Sequence, residues 1–333
     1  MPNFHEDYSS ARLISRILSM YYLENNNQAE IGKELGLSTA KVNRLLKQAR
    51  AQGLIEIRLH TPFQHLFELE RKLEKLTNLQ EAVVIPKLAA DNDTTLQRLG
   101  KAAADYFLEH LHDGDVVCLS GGEAIFNMVN AIETDHRYDV CVIPAIGGVQ
   151  GRHYTDVNFL ATELAKRIGG NSFELHAPAI VDTTFERDAL FSLRHVKEII
   201  DMARRATIAL VGVGSLIPET SSYFQFTAMS QEEMHDIIEK NHGVGQVLAH
   251  VFDVDGNECA QEYSDRLIGM NLEDLKNVPM IIGTAGLAHK VSSVYGALSG
   301  GYLKTLVTDE EVALGVIRML EERKNPVPQP MLP

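Results

Sequence analysis

Side chains that could contact a polyanion lie close together between residues 38 and 50. They follow one another at helical spacing: Ser38, Thr39, Lys41, Asn43, Arg44, Lys47 and Arg50. Lysine and arginine neutralise phosphates, and an asparagine amide can hydrogen-bond a base edge. The stretch therefore predicts contact with double-stranded DNA. We assign Lys41, Lys47 and Arg50 mainly to phosphates, and Thr39, Asn43 and Arg44 to positions nearest the bases.

A second set of candidate residues lies in four glycine-rich loops, at 120–124, 146–151, 212–215 and 283–290. Glycine lets backbone N–H groups approach an anion, and the start of a helix adds partial positive charge. Only the last loop adds a full positive charge, on Lys290. The set predicts a phosphate cradle, although glycine turns between strands and helices are also common for steric reasons. Neither a GxxxxGK[ST] motif nor a GxGxxG opening a helix occurs, so we expect no nucleotide cofactor.

A winged helix-turn-helix would position the basic stretch. Asn27 can cap a first helix, and Gly36 can supply the tight turn before a second helix that Ser38 caps. The inner faces of the two helices would carry Ile31, Leu35, Val42, Leu45 and Leu46. Gly53 and the alternating strand from Leu54 to Leu59 are typical of a wing. A solvated basic surface helix is the alternative for the cations alone, and the ordered set of elements favours DNA binding.

Alternating strands and helices would position the glycine loops. Strands are predicted at EAVVIP, DVVCLS, VCVIPAI, FELHAPAI, ATIALVGVG, VLAHVFDVDG, MIIGTAG and LKTLVTD. Helices are predicted near 94–112, 123–133, 156–169, 187–204 and 289–299, with a last helix ending near Arg323. This α/β alternation predicts a parallel sheet with helices on both faces, and ligands beyond the carboxyl ends of its strands.

We divide the chain into four segments. Residues 1–61 form the DNA-binding domain and residues 81–325 the α/β domain. Residues 62–80 form a helical linker with a leucine stripe at Leu66, Leu69, Leu73 and Leu76. This stripe would either join two protomers or pack on the neighbouring domain. Four prolines predict a disordered tail at 326–333.

Charge and composition narrow the functional class. Residues 1–60 carry a net charge of +2, which leaves −16 on the other 273 residues of a chain whose total is −14. Only the N-terminal segment would therefore attract nucleic acid. Apolar runs are too short to span a membrane and the N-terminus does not resemble a signal peptide, so we expect a cytoplasmic protein without membrane contact. The three cysteines form no CxxC pair and the 13 histidines no HxH or HExxH motif, so we expect reduced thiols and no metal.

The motifs together resemble one family. NQAEIGKELGLSTAKVNRLLKQARAQGLIEI resembles the opening of the SorC family of bacterial sugar-responsive transcriptional regulators. That family's effector domain is resembled by HDGDVVCLSGGEA, ATIALVGVGSL, VLAHVFDVDGN and DRLIGMNLEDLKNVPMIIGTAGLAHKVSSVYGALSGGYLKTLVTD. The resemblance runs from about residue 12 to about residue 318.

The resemblance implies a Rossmann-like, phosphosugar-isomerase-like domain that binds a phosphorylated sugar or polyol. It also implies a homotetramer, a dimer of dimers, whose affinity for a DNA operator responds to that effector. By position in the family motifs, the effector-binding residues are Gly121, Gly122, Glu123, Gly147, Gly148, Asp253 and Lys290. This chain departs from the family pattern at Asn43, where relatives often carry serine, and at Glu123–Ala124, which replace a glycine and a hydroxyl residue. The segment 150–190 matches the family only in outline.

Two other functions are compatible with parts of the pattern. The implied fold also hosts sugar-phosphate isomerases and deaminases, and four side chains could serve as acid or base: Glu123, His176, Asp182 and Lys290. Because no carboxylate pair or nucleophile–base spacing stands out, we assign no catalytic residue. A scaffold without a ligand would leave the four glycine loops unexplained. A DNA-binding transcriptional regulator is therefore favoured.

Overall fold

A computed structural model describes residues 8–56, 61–87, 91–149, 153–217 and 229–324. The chain folds into two compact units, and the boundary between them in the sequence lies between Pro62 and Phe63. The predicted tail at 326–333 lies outside the described residues. No helix within the described ranges combines the length and the apolar character needed to cross a membrane.

The first unit contains three helices: α1 (Tyr8–Tyr22), α2 (Gln28–Leu35) and α3 (Thr39–Ala51). Helix α1 lies before the predicted elements, which begin at residue 27, and was not expected from the sequence. Its apolar residues recur every three positions and complete the small core, which consists of Ile17, Met20, Ile31, Val42 and Leu46. The helix-turn-helix therefore depends on a preceding helix for its hydrophobic support.

The turn between α2 and α3 forms as the sequence predicts. The Asn27 side chain accepts hydrogen bonds from the first turn of α2, and the Ser38 hydroxyl accepts one from the Lys41 amide at 3.2 Å. Gly36 ends α2 with φ of 69°, a conformation that favours glycine. A second glycine, Gly32, was not singled out, and a side chain there would lie 2.6 Å from the Leu37 carbonyl oxygen. Of the predicted wing, residues 54–56 form no strand and residues 57–60 lie outside the described residues.

The second unit contains ten described strands. In chain order they are β1 (Glu81–Ile85), β2 (Val116–Leu119), β3 (Cys141–Pro144), β4 (Asn171–Ser172), β5 (Ile208–Gly212), β6 (Gly214–Ser215), β7 (Gly245–Val247), β8 (His250–Phe252), β9 (Met280–Ala285) and β10 (Thr305–Asp309). Seven of them form a parallel sheet in the order β1-β10-β9-β5-β2-β3-β4. The other three form a small antiparallel sheet, β6-β7-β8. The predicted α/β class is confirmed.

The second unit contains eleven described helices, and several of them cover the two faces of the large sheet. They are α4 (Gln64–Leu76), α5 (Asn92–His110), α6 (Glu123–Asn130), α7 (Val157–Ile168), α8 (Thr184–Ser192), α9 (Arg194–Ala203), α10 (Gln231–His235), α11 (Gln261–Ser264), α12 (Leu272–Lys276), α13 (Val291–Ser299) and α14 (Glu310–Lys324). A π-helical turn, Asp236–Lys240, continues α10, and short 3-10 turns span His153–Thr155 and Ala288–Lys290. The core on one face of the large sheet contains residues of α4, α9, α13 and α14, and the core on the other face contains residues of α5, α6 and α7. A third, smaller core includes Val251 of β8 and Tyr263 of α11. Adjacent residues of β9 point to opposite faces, so Ile281 joins the first core and Ile282 the second.

The predicted strand FELHAPAI is wrong. Regular pairing ends at Ser172, and residues 173–180 run as an extended loop. Leu175, Ala177 and Ala179 are nevertheless buried in alternation, which explains why the segment resembles a strand. A helix and a loop hold this segment: the side chain of Asn158 in α7 accepts the Leu175 amide at 2.8 Å, and Pro178 forms an isolated bridge with Gly148.

Two further elements differ from the prediction. VLAHVFDVDG forms a hairpin instead of one strand, because Leu248 and Ala249 both adopt positive φ and turn the chain between β7 and β8. The helix predicted at 187–204 is two helices, α8 and α9, because Leu193 between them is extended (φ −68°, ψ 124°).

The leucine stripe of α4 packs on the chain's own α/β unit. Leu66 and Leu73 are buried in the sheet's first core, and Leu69 and Leu76 are partly buried against it. Of the two interpretations of this stripe, packing on the neighbouring domain is the one the structure shows.

Candidate DNA-binding surface and effector site

The predicted DNA-contacting side chains lie on the outer surface of α3. Val42, Leu46 and Ala49 are buried. Ser38, Thr39, Lys41, Arg44, Lys47 and Arg50 are exposed, and Asn43 is half-buried. At about 100° per residue, Arg44 and Lys47 project opposite the buried face, whereas Lys41 and Asn43 lie on opposite flanks. A single surface of α3 that contacted a DNA groove would therefore include Asn43, Arg44 and Lys47 more easily than Lys41.

Arg50 has a partner inside the first unit. Its Nε donates a hydrogen bond to the Tyr22 hydroxyl at 2.7 Å, and its guanidinium lies 5.7 Å from the centre of the Tyr22 ring. These contacts fasten the end of α3 to α1. From the sequence, Arg50 was expected to contact DNA phosphates only, because its partner Tyr22 belongs to α1, a helix that was not predicted.

The four glycine loops leave four neighbouring strands. In the sheet order, β9, β5, β2 and β3 are consecutive, and each loop leaves the carboxyl end of one of them. The predicted convergence of these loops on one edge of the sheet is therefore confirmed. The four loops are not equivalent, however, because their amides and the elements that follow them differ.

The loops after β3 and β5 have few free donors. The Gly147 and Gly148 amides donate to the carbonyl oxygens of Ile268 at 2.8 Å and Ala177 at 2.9 Å. A side chain at Gly147 would lie 2.4–2.6 Å from the backbone of residues 177 and 178, so close packing explains this glycine. The following helix, α7, is already capped by the Asp156 carboxylate. The loop after β5 continues into β6 and not into a helix, contrary to the prediction.

The loop after β2 presents an open helix start. Gly122 has φ of 106°, and its amide donates to the Thr155 carbonyl oxygen at 3.0 Å, close to Gly121. Glu123 then begins α6, whose start has no side-chain cap. The first N–H groups of a helix have no partner within it, so those of α6 are oriented to bind an anion.

The loop after β9 contributes the charge. Lys290 is partly buried at the end of the turn Ala288–Lys290. Burial lowers the pKa of Lys290 to about 8, and the nearby Glu123 carboxylate opposes this shift. Burial also lowers the pKa of His289, with a further contribution from Lys290 and an opposing one from Asp309. Among the described ion pairs Lys290 takes part in none.

Asp253 does not join this group. Its carboxylate accepts hydrogen bonds from the amide and side chain of Asn257 within its own turn, at 2.9 and 3.2 Å. That turn packs on Gly296 and Gly300 at the far end of α13. At about 1.5 Å per residue, these glycines lie roughly 9–15 Å along the helix from Lys290. The family position is present, and the described hydrogen bonds of the Asp253 carboxylate are made within its own turn.

The other acid–base candidates also lie apart from Lys290. His176 is exposed and lies 3.2 Å from Glu174. Asp182 is exposed, and its amide donates to the Glu186 carboxylate at 3.1 Å. Only Glu123 and Lys290 are brought near one another. A partly buried lysine beside the open start of a helix can bind an anion.

Three polar residues at this edge were missed by the sequence analysis. Ser120 ties β2 to β5, because its hydroxyl accepts the Gly212 amide at 3.1 Å. The Thr284 hydroxyl is buried at the end of β9 and has no hydrogen-bond partner among the described groups. Asp309 accepts the Leu287 amide at 2.6 Å. A polar residue at the end of an apolar strand was the available signal for all three.

Comparisons with known proteins agree with this geometry. A family model described as "Putative sugar-binding domain" matches residues 61–318, and a model of region 4 of sigma-70 matches residues 15–52. The sorbitol operon regulator of Klebsiella pneumoniae is 29% identical over 92% of this chain and 98% of its own length. The crystal structure of that full-length regulator, SorC, superposes with a TM-score of 0.72 at 28% identity, covering 93% of this chain and 99% of the other. The chain belongs to the SorC family.

A second curated relative supports the same assignment. The deoxyribonucleoside regulator of Bacillus subtilis is 30% identical over 94% of this SorC-family chain and 100% of its own length. Because these relatives are regulators matched over almost their whole length, this chain is a DNA-binding transcriptional regulator with a sugar-binding domain and not an enzyme.

Proposed function

We propose that this SorC-family regulator binds a phosphorylated sugar or polyol, and that binding changes its affinity for a DNA operator. The observation that carries this proposal is Lys290, a partly buried cation at the carboxyl edge of the sheet without a described ion pair. A cation in such a place loses hydration, and an anionic ligand would restore the lost stabilisation.

The start of α6 would complete the phosphate site. The loop that carries Lys290 follows β9, and the open start of α6 follows β2. These two strands lie on either side of β5, whose last residue, Gly212, places no side chain between the two loops. Helix N–H groups and a lysine suit a phosphate, and the unpaired Thr284 hydroxyl could donate a further hydrogen bond. Glu123 would repel a phosphate, so we place its carboxylate toward the hydroxyl groups of the ligand.

The regulatory roles of two relatives suggest the class of ligand. One relative is a regulator for deoxyribonucleosides and the other for a sorbitol operon. Their shared chemistry is a small polyhydroxylated compound. A phosphorylated derivative of such a compound fits both the lysine and the carboxylate of this site.

We propose that α3 enters the major groove and that the protein acts as a tetramer, a dimer of dimers. Residues 62–80 would connect the DNA-binding domain at 1–61 to the effector domain at 81–325. Operators that are near-palindromes are matched most simply by two-fold protein symmetry. Light scattering should therefore give four times the chain mass of 37.0 kDa. A monomer at micromolar concentration, with and without DNA, would contradict this assembly.

Calorimetry tests the ligand. Sorbitol 6-phosphate, 2-deoxyribose 5-phosphate and their unphosphorylated parents should be titrated into the wild-type protein. Lys290→Gln should weaken binding of the best phosphorylated compound by about ten- to a hundredfold, because a charge-assisted hydrogen bond contributes about 1.5–3 kcal/mol. The matched control is Lys197→Gln, which removes an exposed lysine of α9. Equal affinity for the phosphorylated and unphosphorylated compounds would exclude the phosphate site.

A further inference from the structure

Asp309 is a buried carboxylate placed between the effector loop and a helix. It ends β10 with only 3% of its surface exposed. One oxygen, Oδ2, accepts the Leu287 amide at 2.6 Å, and the other, Oδ1, accepts the Val312 amide at 2.9 Å. The first bond reaches the loop that carries Lys290, and the second caps the start of α14. One side chain therefore connects two segments that are separate in sequence.

The bond to Leu287 fixes an unfavourable backbone conformation. Leu287 has φ of 76°, in the region that favours glycine. The preceding Gly286 passes so close that a side chain there would lie 2.8 Å from Asp309 Oδ2. On its other side, the Leu287 carbonyl oxygen accepts the Lys290 amide at 2.9 Å. Leu287 is thus held by Asp309 at its amide and holds Lys290 through its carbonyl group.

The second bond leads toward the DNA-binding end of the chain. Helix α14 holds α4 through Lys72–Glu321 at 2.7 Å and His65–Glu310 at 3.6 Å. Helix α4 is also fastened to the edge strand β1, because the Glu70 and Glu74 carboxylates accept strand amides at 2.8 and 3.2 Å. It begins at Gln64, two residues after the boundary of the first unit. Movement of α14 would therefore be transmitted to the helix that follows the DNA-binding unit.

We propose that Asp309 is a positioning residue that holds Lys290 for an anionic effector and couples the effector loop to the helix pair α14 and α4. This proposal rests on the proposed function. It adds a residue that would act through Leu287 and α14 without touching the ligand itself.

The variant Asp309→Asn tests this role. Asparagine keeps the size of the side chain but has one acceptor oxygen, so it can satisfy only one of the two amides. Binding of sorbitol 6-phosphate should weaken about tenfold. At saturating sorbitol 6-phosphate, the ratio of operator affinities with and without ligand should fall toward one, from the roughly 5- to 150-fold typical of allosteric coupling.

Thr308→Val is the matched control. The Thr308 hydroxyl donates to the Ala285 carbonyl oxygen at 2.7 Å, so this variant also removes a buried bond between β10 and the end of β9. It should lower thermal stability but leave the ratio of operator affinities unchanged. If both variants reduce that ratio equally, or if Asp309→Asn lowers only the melting temperature, Asp309 has a merely structural role.

A readout without any ligand separates this proposal from the proposed function. Acetylation of Lys290 by acetic anhydride, followed by mass spectrometry across pH, reports the midpoint of its titration. That midpoint should lie near pH 8 in the wild-type protein and move toward 10.5 in Asp309→Asn, because release of the loop exposes the lysine. If the wild-type protein binds neither sorbitol 6-phosphate nor inorganic phosphate, the phosphate site is wrong, and the acetylation midpoint still decides the role of Asp309.

Hydrogen exchange on the wild-type protein avoids the risk that a variant misfolds. Addition of inorganic phosphate should slow exchange at the Leu287 and Lys290 amides and, together with them, at the Val312 amide of α14. Protection confined to residues 287–290 would overturn the coupling.

Discussion

Effector affinity should depend on pH through Lys290. Burial lowers the pKa of this lysine to about 8 from the ordinary lysine value of 10.5. At about 1.4 kcal/mol per pKa unit, this difference corresponds to at most about 3.5 kcal/mol of unfavourable interaction in the charged form. A phosphate that pairs with the ammonium would stabilise the charged form and raise its pKa. The ligand should therefore bind the protonated lysine preferentially.

The magnitude follows from linkage. Because the second pKa of a phosphate ester is about 6, the ligand's charge hardly changes above pH 7. The dissociation constant should rise by up to about tenfold per pH unit above 8, and be about tenfold higher at pH 9 than at pH 7. At pH 8, half of the lysine is neutral, so binding should take up about half a proton.

Calorimetry with sorbitol 6-phosphate in two buffers of different ionisation enthalpy measures both quantities. Lys290→Arg is the control, because its guanidinium stays charged and should bind without proton uptake. A dissociation constant that stays flat between pH 7 and pH 9 would refute the reasoning, and so would the same pH dependence in the arginine variant.

The same group affects stability in a defined direction. Its pKa in the fold lies below the unfolded value. Between about pH 8 and 10.5 the unfolded chain therefore retains a proton that the fold has released, and the free energy of unfolding should rise with pH. Below pH 8 both states hold the proton, and the full cost of the buried charge is present. Chemical denaturation of Lys290→Gln and the wild-type protein across this window would show the difference.

Three further predictions concern DNA binding and the support of the sheet. Lys47→Ala should weaken binding to operator and random DNA alike, and should reduce the dependence of log affinity on log salt concentration by about one. Asn43→Ala should cost roughly 1–3 kcal/mol of binding free energy on the operator only. Equal losses on both DNAs for both variants would contradict the assignment. Arg50→Ala should also lower the melting temperature of the DNA-binding unit, because it loses the Tyr22 hydroxyl as a partner; unchanged stability would restore a role on phosphates alone. Burial raises the pKa of Glu70, so Glu70→Gln should leave the free energy of unfolding equal or higher at pH 7. Glu70→Ala should lower it by about 1–3 kcal/mol, because a strand amide loses its acceptor. Equal denaturation midpoints for the two variants would contradict this account.

Much of the fold could be predicted from short-range patterns. The capping residues Asn27 and Ser38 act on amides two or three positions away, and Gly36 adopts the turn conformation that its missing side chain permits. Alternating strands and helices likewise indicate a parallel sheet, because a parallel connection needs a crossover of about helical length. The convergence of the four glycine loops then follows from the topology of such a sheet.

The chemistry of the site required the tertiary structure. The Gly147 and Gly148 amides are already bonded to carbonyl groups of residues 268 and 177, which no local pattern identifies. Asp253 matches a family motif, yet its turn packs at the far end of α13. In the same way, the low pKa of Lys290 results from burial, and the carboxylate that opposes this shift, Glu123, lies 167 positions earlier in the chain.

The physical reason for this division is the range of the interactions. Helix caps, turns and hydrophobic periodicity depend on neighbours within a few residues, so the sequence by itself determined the helix-turn-helix and the class of the sheet. Desolvation, the use of backbone donors and the partners of buried charges depend on segments that meet only after folding. The tertiary structure therefore decided which of the predicted loops retains free donors and charge, and it alone revealed Asp309 between Leu287 and α14.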